Sequence, residues 1–93
     1  MEPLAIYQKA INKFGWKRQC MKAVSELTEL SLVIQHVLEE KEHTIWADVV
    51  DEIADVEIMC AQLELMHGGY GGAVAITKRD KLAALKIMLE KVE

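Results

Sequence analysis

Apolar residues recur at helical spacing along this chain and divide it into four stretches. The predicted helices run from Pro3 to Phe14, from about Trp16 to Glu40, from near Ile45 to Met66 and from about Val74 to Lys91. Pro3 suits a first helical turn, and Gly15 and Gly68 suit helix ends. No stretch alternates between apolar and polar residues as a strand would. The pattern predicts one all-α domain over residues 1–93, a four-helix antiparallel bundle.

Two pairs of carboxylates stand on the predicted second and third helices. They are Glu26 with Glu29 and Glu52 with Asp55, and 22 residues separate the pairs. A three-residue step places both members of a pair on one face of a helix. At about 100° per residue, each pair lies along the edge of an apolar arc. The arcs are Leu27, Leu30, Ile34 and Leu38 on the second helix, and Val49, Ile53, Val56, Cys60 and Leu63 on the third.

These four carboxylates predict a cation site. Acids crowded at the rim of a core repel one another and lose hydration, which costs several kcal/mol for each uncompensated ion. Carboxylate oxygens are hard ligands, so the pattern favours Mg2+, with Mn2+ as the alternative. Mg2+ in proteins is usually completed by water and substrate phosphates, which suggests a phosphate-bearing substrate.

Two other interpretations of the same residues stay open. Glu-x-x-Glu is ordinary on a solvated helix, so the chain could be a non-enzymatic helical dimerisation module. Glu40 with His43, and Glu64 with His67, also have the Glu-x-x-His spacing of di-iron or di-manganese carboxylate bundles. Both pairs lie at helix ends rather than in the middle of a bundle, which makes this the weaker alternative.

The amount of apolar residue predicts self-association. Of the 93 residues, 52% are apolar, although a chain of this length builds only a small core. The third helix has a second apolar side, formed by Ala47, Ala54, Ile58, Ala61 and Leu65. A helix that is apolar on two sides is covered on two sides. We therefore expect a homodimer or homotetramer, in which the four helices become part of a larger helical bundle.

Charge and cysteine usage narrow the classes of partner. The formal net charge is −4, which argues against binding to a nucleic acid polymer or to an anionic membrane. No apolar run reaches the length of a membrane span and no signal peptide is predicted, so we expect a cytoplasmic protein. Cys20 and Cys60 are interpreted as small core residues, and Trp16 and Trp46 as packing anchors.

The basic residues cluster at one place. Lys78, Arg79 and Lys81 lie in the first half of the fourth helix, and Arg79 shares a stripe with Leu82 that we expect to face the bundle. Cations near a carboxylate site could hold phosphate oxygens. A solvated basic turn that pairs with surface acids is the alternative interpretation.

The segments SELTEL and DVVDEIADVEIMCAQLEL, with YQKAINKFG and KRDKL near the two ends, resemble the all-α nucleoside triphosphate pyrophosphohydrolases of the MazG-like superfamily, in particular short phage-type members. The resemblance covers nearly the whole chain. It rests on Glu-x-x-Glu, a spacer and Glu-x-x-Asp. Many members have a Glu directly before the first motif, where this chain has Ser25, and an Asn just ahead of the basic helix, which this chain lacks.

The resemblance implies a function for each residue set. Glu26, Glu29, Glu52 and Asp55 would be metal ligands, and Lys78, with Arg79 or Lys81, would contact phosphates. The activity implied is Mg2+-dependent hydrolysis of nucleoside or deoxynucleoside triphosphates to a monophosphate and pyrophosphate, by in-line attack of water on the α-phosphorus. Glu26 or Glu29 would orient or deprotonate that water. The resemblance assigns neither a base nor a sugar.

Overall fold

The computed structural model describes residues 1–40, 45–68 and 72–92, with side chains described as far as residue 91. The helices are α1, Pro3–Phe14; α2, Trp16–Leu38; α3, Trp46–Met66; and α4, Ala73–Val92. The described residues contain no strand. All four predicted helices are confirmed, and every end lies within two residues of its predicted position. The chain is therefore all-α.

Local signals explain where the helices begin and end. Gly15 has φ 88°, a left-handed value that a side chain would oppose, and its N–H donates to the carbonyl oxygen of Ile11 at 2.8 Å. This residue alone separates α1 from α2. At the start of α3, the carboxylate of Asp48 accepts a hydrogen bond from the backbone N–H of Ile45 at 2.8 Å, which satisfies a donor that the helix leaves open.

α2 and α3 form an antiparallel pair, and α1 packs against both. Near the start of α2, the side chain of Gln19 contacts Gln62, and the sulfur of Cys20 lies 3.7 Å from that of Met66 near the end of α3. Farther along α2, Glu26 meets the first half of α3. Residues later in α2 therefore contact residues earlier in α3. This is the antiparallel arrangement that the sequence predicts for neighbouring helices.

Among the described residues, the buried part of the contact between α2 and α3 combines two glutamines with three apolar side chains. The buried residues are Ala23, Val49, Met59, Gln19 and Gln62. The amide nitrogen of Gln19 donates to the amide oxygen of Gln62 at 2.7 Å, and the nitrogen of Gln62 lies 3.8 Å from the sulfur of Met59. We call this surface of contact, centred on Gln19, Glu26, Glu52, Met59 and Gln62, the α2–α3 seam.

The predicted apolar arcs are wrong for about half of their members. The exposed members are Leu27, Ile34, Leu38, Ile53 and Cys60, whereas Val49 is buried and Leu30, Val56 and Leu63 are half-buried. Glu26 and Glu52, at the edges of these arcs, are half-buried instead. The reason is that periodicity identifies the apolar side of a helix, but it does not say whether that side is covered by the same chain.

α4 leaves most of its surface open. Every residue from 73 to 91 is exposed, including Leu82, Leu85 and Leu89, which were predicted to face a core, and Arg79, predicted to face the bundle. The main helix–helix contacts join α1, α2 and α3. Trp16 and Trp46 are 59% and 69% exposed, so neither anchors packing within this chain. No helix in the described part of the chain is long and apolar enough to cross a membrane.

The glutamine pair in the seam yields a stability prediction. Gln19→Leu leaves the buried amide oxygen of Gln62 without its donor, so the free energy of unfolding should fall by about 1–3 kcal/mol. Gln19→Leu/Gln62→Leu removes both polar groups, so it should cost clearly less than the sum of the two single variants. Urea unfolding at one protein concentration measures both effects.

Gln8→Leu is the matched control for this comparison. It breaks a 2.9 Å hydrogen bond to Asn12 on the exposed side of α1 and should change stability by less than about 0.5 kcal/mol. Losses at positions 19 and 62 that simply add would contradict a coupled pair.

Candidate functional site

Three of the four predicted metal ligands meet at the α2–α3 seam. One carboxylate oxygen each from Glu26, Glu52 and Asp55 lies within 4.8 Å of the other two. Glu26 comes from α2, and Glu52 and Asp55 come from successive turns of α3. The antiparallel pairing brings them together because the three-residue step keeps the two α3 acids on one face. Glu26 and Glu52 are half-buried, and Asp55 is exposed.

Glu52 has the most constrained carboxylate of the three. Its Oε2 atom is shielded from solvent and has no hydrogen-bond partner among the described residues. Burial is the largest cause of a raised pKa of the Glu52 carboxyl, followed by the negative charges of Asp55, Glu26, Glu29 and Asp51. A buried oxygen without a donor is a group that a cation or a protonated ligand would satisfy.

The chain supplies little positive charge to this group of acids. Lys22 lies one turn before Glu26, and its Nζ is 3.5 Å from a Glu26 oxygen. The Lys22 side chain is 58% exposed, so water and salt weaken the pair. Among the described residues, no lysine or arginine forms an ion pair with Glu52 or Asp55. The repulsion between the carboxylates is therefore only partly relieved.

The fourth predicted ligand lies close by but outside the group of three. Glu29 is exposed on α2, and its charge contributes to the raised pKa of Glu52. It could complete the coordination of an ion held by the other three, or accept a proton from water beside that ion. Glu29 therefore stays a predicted member of the site, with its function open.

The structure does not bring the predicted phosphate-binding residues to the acids within one chain. Lys78, Arg79 and Lys81 lie on exposed α4, and Arg79 pairs with its neighbour Asp80 at 3.8 Å. Lys78 and Lys81 line an open groove of about 510 Å³ between α4 and His67, at the end of α3. Among the described residues, Lys22 is therefore the one basic side chain that pairs with the three acids.

Gln19 and Gln62 are residues that sequence reasoning missed. Gln19 precedes Glu26 by seven residues, and Gln62 follows Asp55 by seven, so each glutamine shares a face with an acid two turns away. Matching seven-residue steps in opposite directions were visible in the sequence as a signal of antiparallel pairing. The hydrogen bond between the glutamines fixes which turn of α3 faces Glu26, and so which acids meet.

The residues of the di-iron alternative lie elsewhere. Glu64 and His67 are near the end of α3, remote from the three acids, and His43 lies outside the described residues. Within residues 1–40, 45–68 and 72–91, the three seam acids are the one group of at least three histidine, cysteine or acidic side chains that brings its ligand atoms together. Glu64 and His67 belong to no such group, and the Glu40–His43 pair cannot be assessed because His43 is outside the described residues.

Comparison of the chain with models of known protein families, with curated proteins and with solved structures gave no match. The resemblance described above therefore rests on its motif residues and on their arrangement.

The raised pKa of Glu52 predicts a dependence of stability on pH. The folded protein holds a proton on Glu52 more tightly than the unfolded chain does, so this group contributes most stability below its ordinary pKa of 4.5. That contribution is lost as the pH rises through the folded-state pKa. Glu52→Gln mimics the protonated form, so it should raise the melting temperature of the metal-free protein at pH 7, and raise it less near pH 4.5.

Glu57→Gln provides the control, because Glu57 is an exposed acid on the same helix. It should leave the melting temperature nearly unchanged across the same pH range when thermal unfolding is followed in a chelating buffer. Equal responses of the two variants would show that Glu52 is not strained by its surroundings.

Proposed function

We propose that this protein is a Mg2+-dependent nucleoside triphosphate pyrophosphohydrolase that forms a monophosphate and pyrophosphate. One observation carries the proposal: three carboxylates from two antiparallel helices converge around a shielded Glu52 oxygen that has no donor among the described residues. The chain also has the Glu-x-x-Glu and Glu-x-x-Asp spacing of the MazG-like superfamily, and the reaction is proposed from that resemblance. Nucleoside and deoxynucleoside triphosphates are the proposed substrates.

The donor set fits a hard divalent cation. It contains carboxylate oxygens alone, without the sulfur or imidazole ligands that favour Zn2+ or copper, so Mg2+ is proposed, with Mn2+ as the alternative. When bound, such an ion neutralises phosphate oxygens and lowers the pKa of a water molecule. Glu26, Glu52 and Asp55 would hold it, which would relieve the repulsion that raises the pKa of Glu52.

The remaining charged residues have separate functions in this proposal. Glu29 would complete the metal coordination or orient the attacking water, and Glu26 is the alternative for the water. Lys78, Arg79 and Lys81 would bind phosphate oxygens and balance the charge that builds on the leaving pyrophosphate. The active form would be a cytoplasmic homodimer or homotetramer in which α4 becomes part of a larger helical bundle.

A non-enzymatic helical module remains the second candidate. Its support is the large apolar surface that one chain leaves uncovered, which suits a protein whose function is assembly. Such a module has no need of an acid group with an unsatisfied shielded oxygen. Turnover of a triphosphate separates the two candidates directly.

Amide variants test the acids, the metal and the activity together. Mg2+ should raise the melting temperature of the wild-type protein, because an ion that binds the folded state stabilises it. Glu52→Gln and Asp55→Asn keep the shape of the side chain but remove its charge, so both should abolish the Mg2+-dependent shift and pyrophosphate release. Differential scanning fluorimetry and a panel of nucleotides, with pyrophosphate resolved from phosphate, provide the measurements.

Glu57→Gln should keep both the shift and the activity, since Glu57 lies outside the acid group. Glu29→Gln then assigns the fourth acid: loss of turnover with the shift retained indicates water orientation, and loss of both indicates a ligand. Full activity in both Glu52→Gln and Asp55→Asn would contradict the proposed function.

The basic cluster yields a second prediction for the same assay. Arg79→Ala should lower turnover by roughly 10–1,000-fold, the effect of losing one group that stabilises developing charge. Thermal stability should be nearly unchanged, because the Arg79 side chain is 77% exposed and pairs only with neighbouring Asp80 among the described residues. Lys86→Ala, an equal loss of charge on the same helix, is the control and should keep its activity. Equal turnover in the two variants would instead support the alternative interpretation, in which Lys78, Arg79 and Lys81 form a solvated surface.

A further inference from the structure

The basic residues of the first two helices are separated from the acids of the chain. Residues 3–25 contain five of the 11 lysines and arginines and none of the 15 acids. The formal side-chain charge of this segment is therefore +5, and that of the remaining residues is −9. The net charge of −4 averages over two regions of opposite sign, so it does not exclude an anionic partner at the first two helices.

Most of these cations have no acid beside them. Lys22 pairs with Glu26 at the α2–α3 seam. Among the residues that the structure describes, no acid pairs with the other four, which are Lys9, Lys13, Lys17 and Arg18. All four residues are exposed. Cations that lie close together without acids produce a positive potential, which attracts an anionic surface.

Two aromatic rings gather three of these cations where α1 meets α2. The Nζ atom of Lys13 lies 5.7 Å from the centroid of the Phe14 ring, and the guanidinium carbon of Arg18 lies 5.4 Å from the same centroid. The Nζ atom of Lys17 lies 5.5 Å from the centroid of the Trp16 ring. These distances are typical of cation–π contacts. The contact between Arg18 and Phe14 joins the two helices, and we call these five residues the elbow patch.

Large apolar side chains accompany the charges in this part of the molecule. Phe14 and Trp16 are themselves exposed, and so are Leu4 and Ile6 on α1 and Met21 on α2. Lysine and arginine side chains lay their methylene stems along such surfaces and keep their charged ends in water or among headgroups. Apolar and basic side chains exposed together are typical of segments that lie in the interface of a membrane.

We propose that the elbow patch binds the surface of a membrane that contains anionic lipids. Lys13, Lys17 and Arg18 contact the charged headgroups, and Phe14 and Trp16 enter the boundary between headgroups and acyl chains. The binding is peripheral, since no helix in the described part of the chain could cross a membrane. It uses none of the residues of the proposed hydrolytic site, so it goes beyond that function and does not depend on it.

The observations favour a lipid surface over a single-stranded nucleic acid, which basic and aromatic residues also bind. Bases stack on open ring faces. Phe14 has two cations beside its ring and Trp16 has one, so these rings are already engaged within the chain. Leu4, Ile6 and Met21 offer a base no ring to stack on, whereas the acyl-chain boundary of a bilayer accepts aliphatic side chains.

Tryptophan fluorescence tests this contact directly, because Trp16 and Trp46 are the two tryptophans of the chain. In Trp46→Phe protein, the emission of Trp16 should shift to shorter wavelengths with vesicles of phosphatidylserine and phosphatidylcholine in equal parts. Vesicles of phosphatidylcholine alone should cause no shift. In Trp16→Phe protein, the emission of Trp46 should stay unchanged, since Trp46 lies at the other end of the antiparallel pair. Emission of Trp16 that does not respond to anionic vesicles would overturn the proposal.

Sedimentation with the same vesicles measures the contribution of charge. Lys13→Gln/Arg18→Gln removes both cations beside Phe14, so the partition coefficient should fall roughly 30-fold, at about 1 kcal/mol for each basic residue near an anionic surface. Lys86→Gln/Lys91→Gln removes the same charge from α4 and should leave the partition coefficient nearly unchanged. Equal losses in the two double variants would contradict binding through the elbow patch.

A single-stranded oligothymidylate separates the two kinds of anionic partner. Binding of the oligonucleotide without binding to anionic vesicles would identify a nucleic-acid interface and overturn the membrane proposal. Glu52→Gln protein should sediment with vesicles as the wild-type protein does, because Glu52 lies outside the elbow patch. A wild-type protein that binds vesicles and hydrolyses no triphosphate would refute the proposed function alone. One that hydrolyses triphosphates and binds no vesicles would refute the membrane proposal alone.

Discussion

The α2–α3 seam places polar groups where a small helical protein usually buries leucine and isoleucine. Gln19 and Gln62 satisfy each other through one hydrogen bond, so this part of the seam is neutral and closed. The carboxylates of Glu26, two turns from Gln19, and of Glu52, nearly three turns from Gln62, cannot satisfy each other in this way, because an ionised carboxylate only accepts hydrogen bonds. One pairing register therefore produces both a satisfied polar contact and an unsatisfied acidic one. A slip of one turn would separate the acids.

A seam of this kind leaves the large apolar residues outside. Ala23, Val49 and Met59 are the buried apolar residues among those described, while Leu27, Ile53 and Leu82 are exposed. A chain with so little buried area gains little hydrophobic free energy to set against its conformational entropy. The exposed apolar side chains leave area that further packing could bury. If the chain self-associates, as its sequence predicts, folding and assembly would be coupled and its apparent stability would depend on its concentration.

The sequence predicted the helices well, because their limits depend on local chemistry. Pro3 and Gly15 act within one or two residues, and so does Asp48, although only the structure showed its contact. The meeting of Glu26 with Glu52 and Asp55 was also predictable, since the three-residue step and antiparallel neighbours suffice. Which side of each helix faces inward was not predictable from one sequence. α3 has more than one apolar side, and periodicity alone does not say which side its own chain covers.

The same ambiguity explains why the basic helix was misplaced. The spacing of Leu82 and Leu85 predicts core residues of one bundle. The chain itself, however, leaves both side chains exposed. In the proposed site, a bound cation would neutralise the acids that repel one another at the seam. Ion binding would then be favoured because it relieves the repulsion at Glu52.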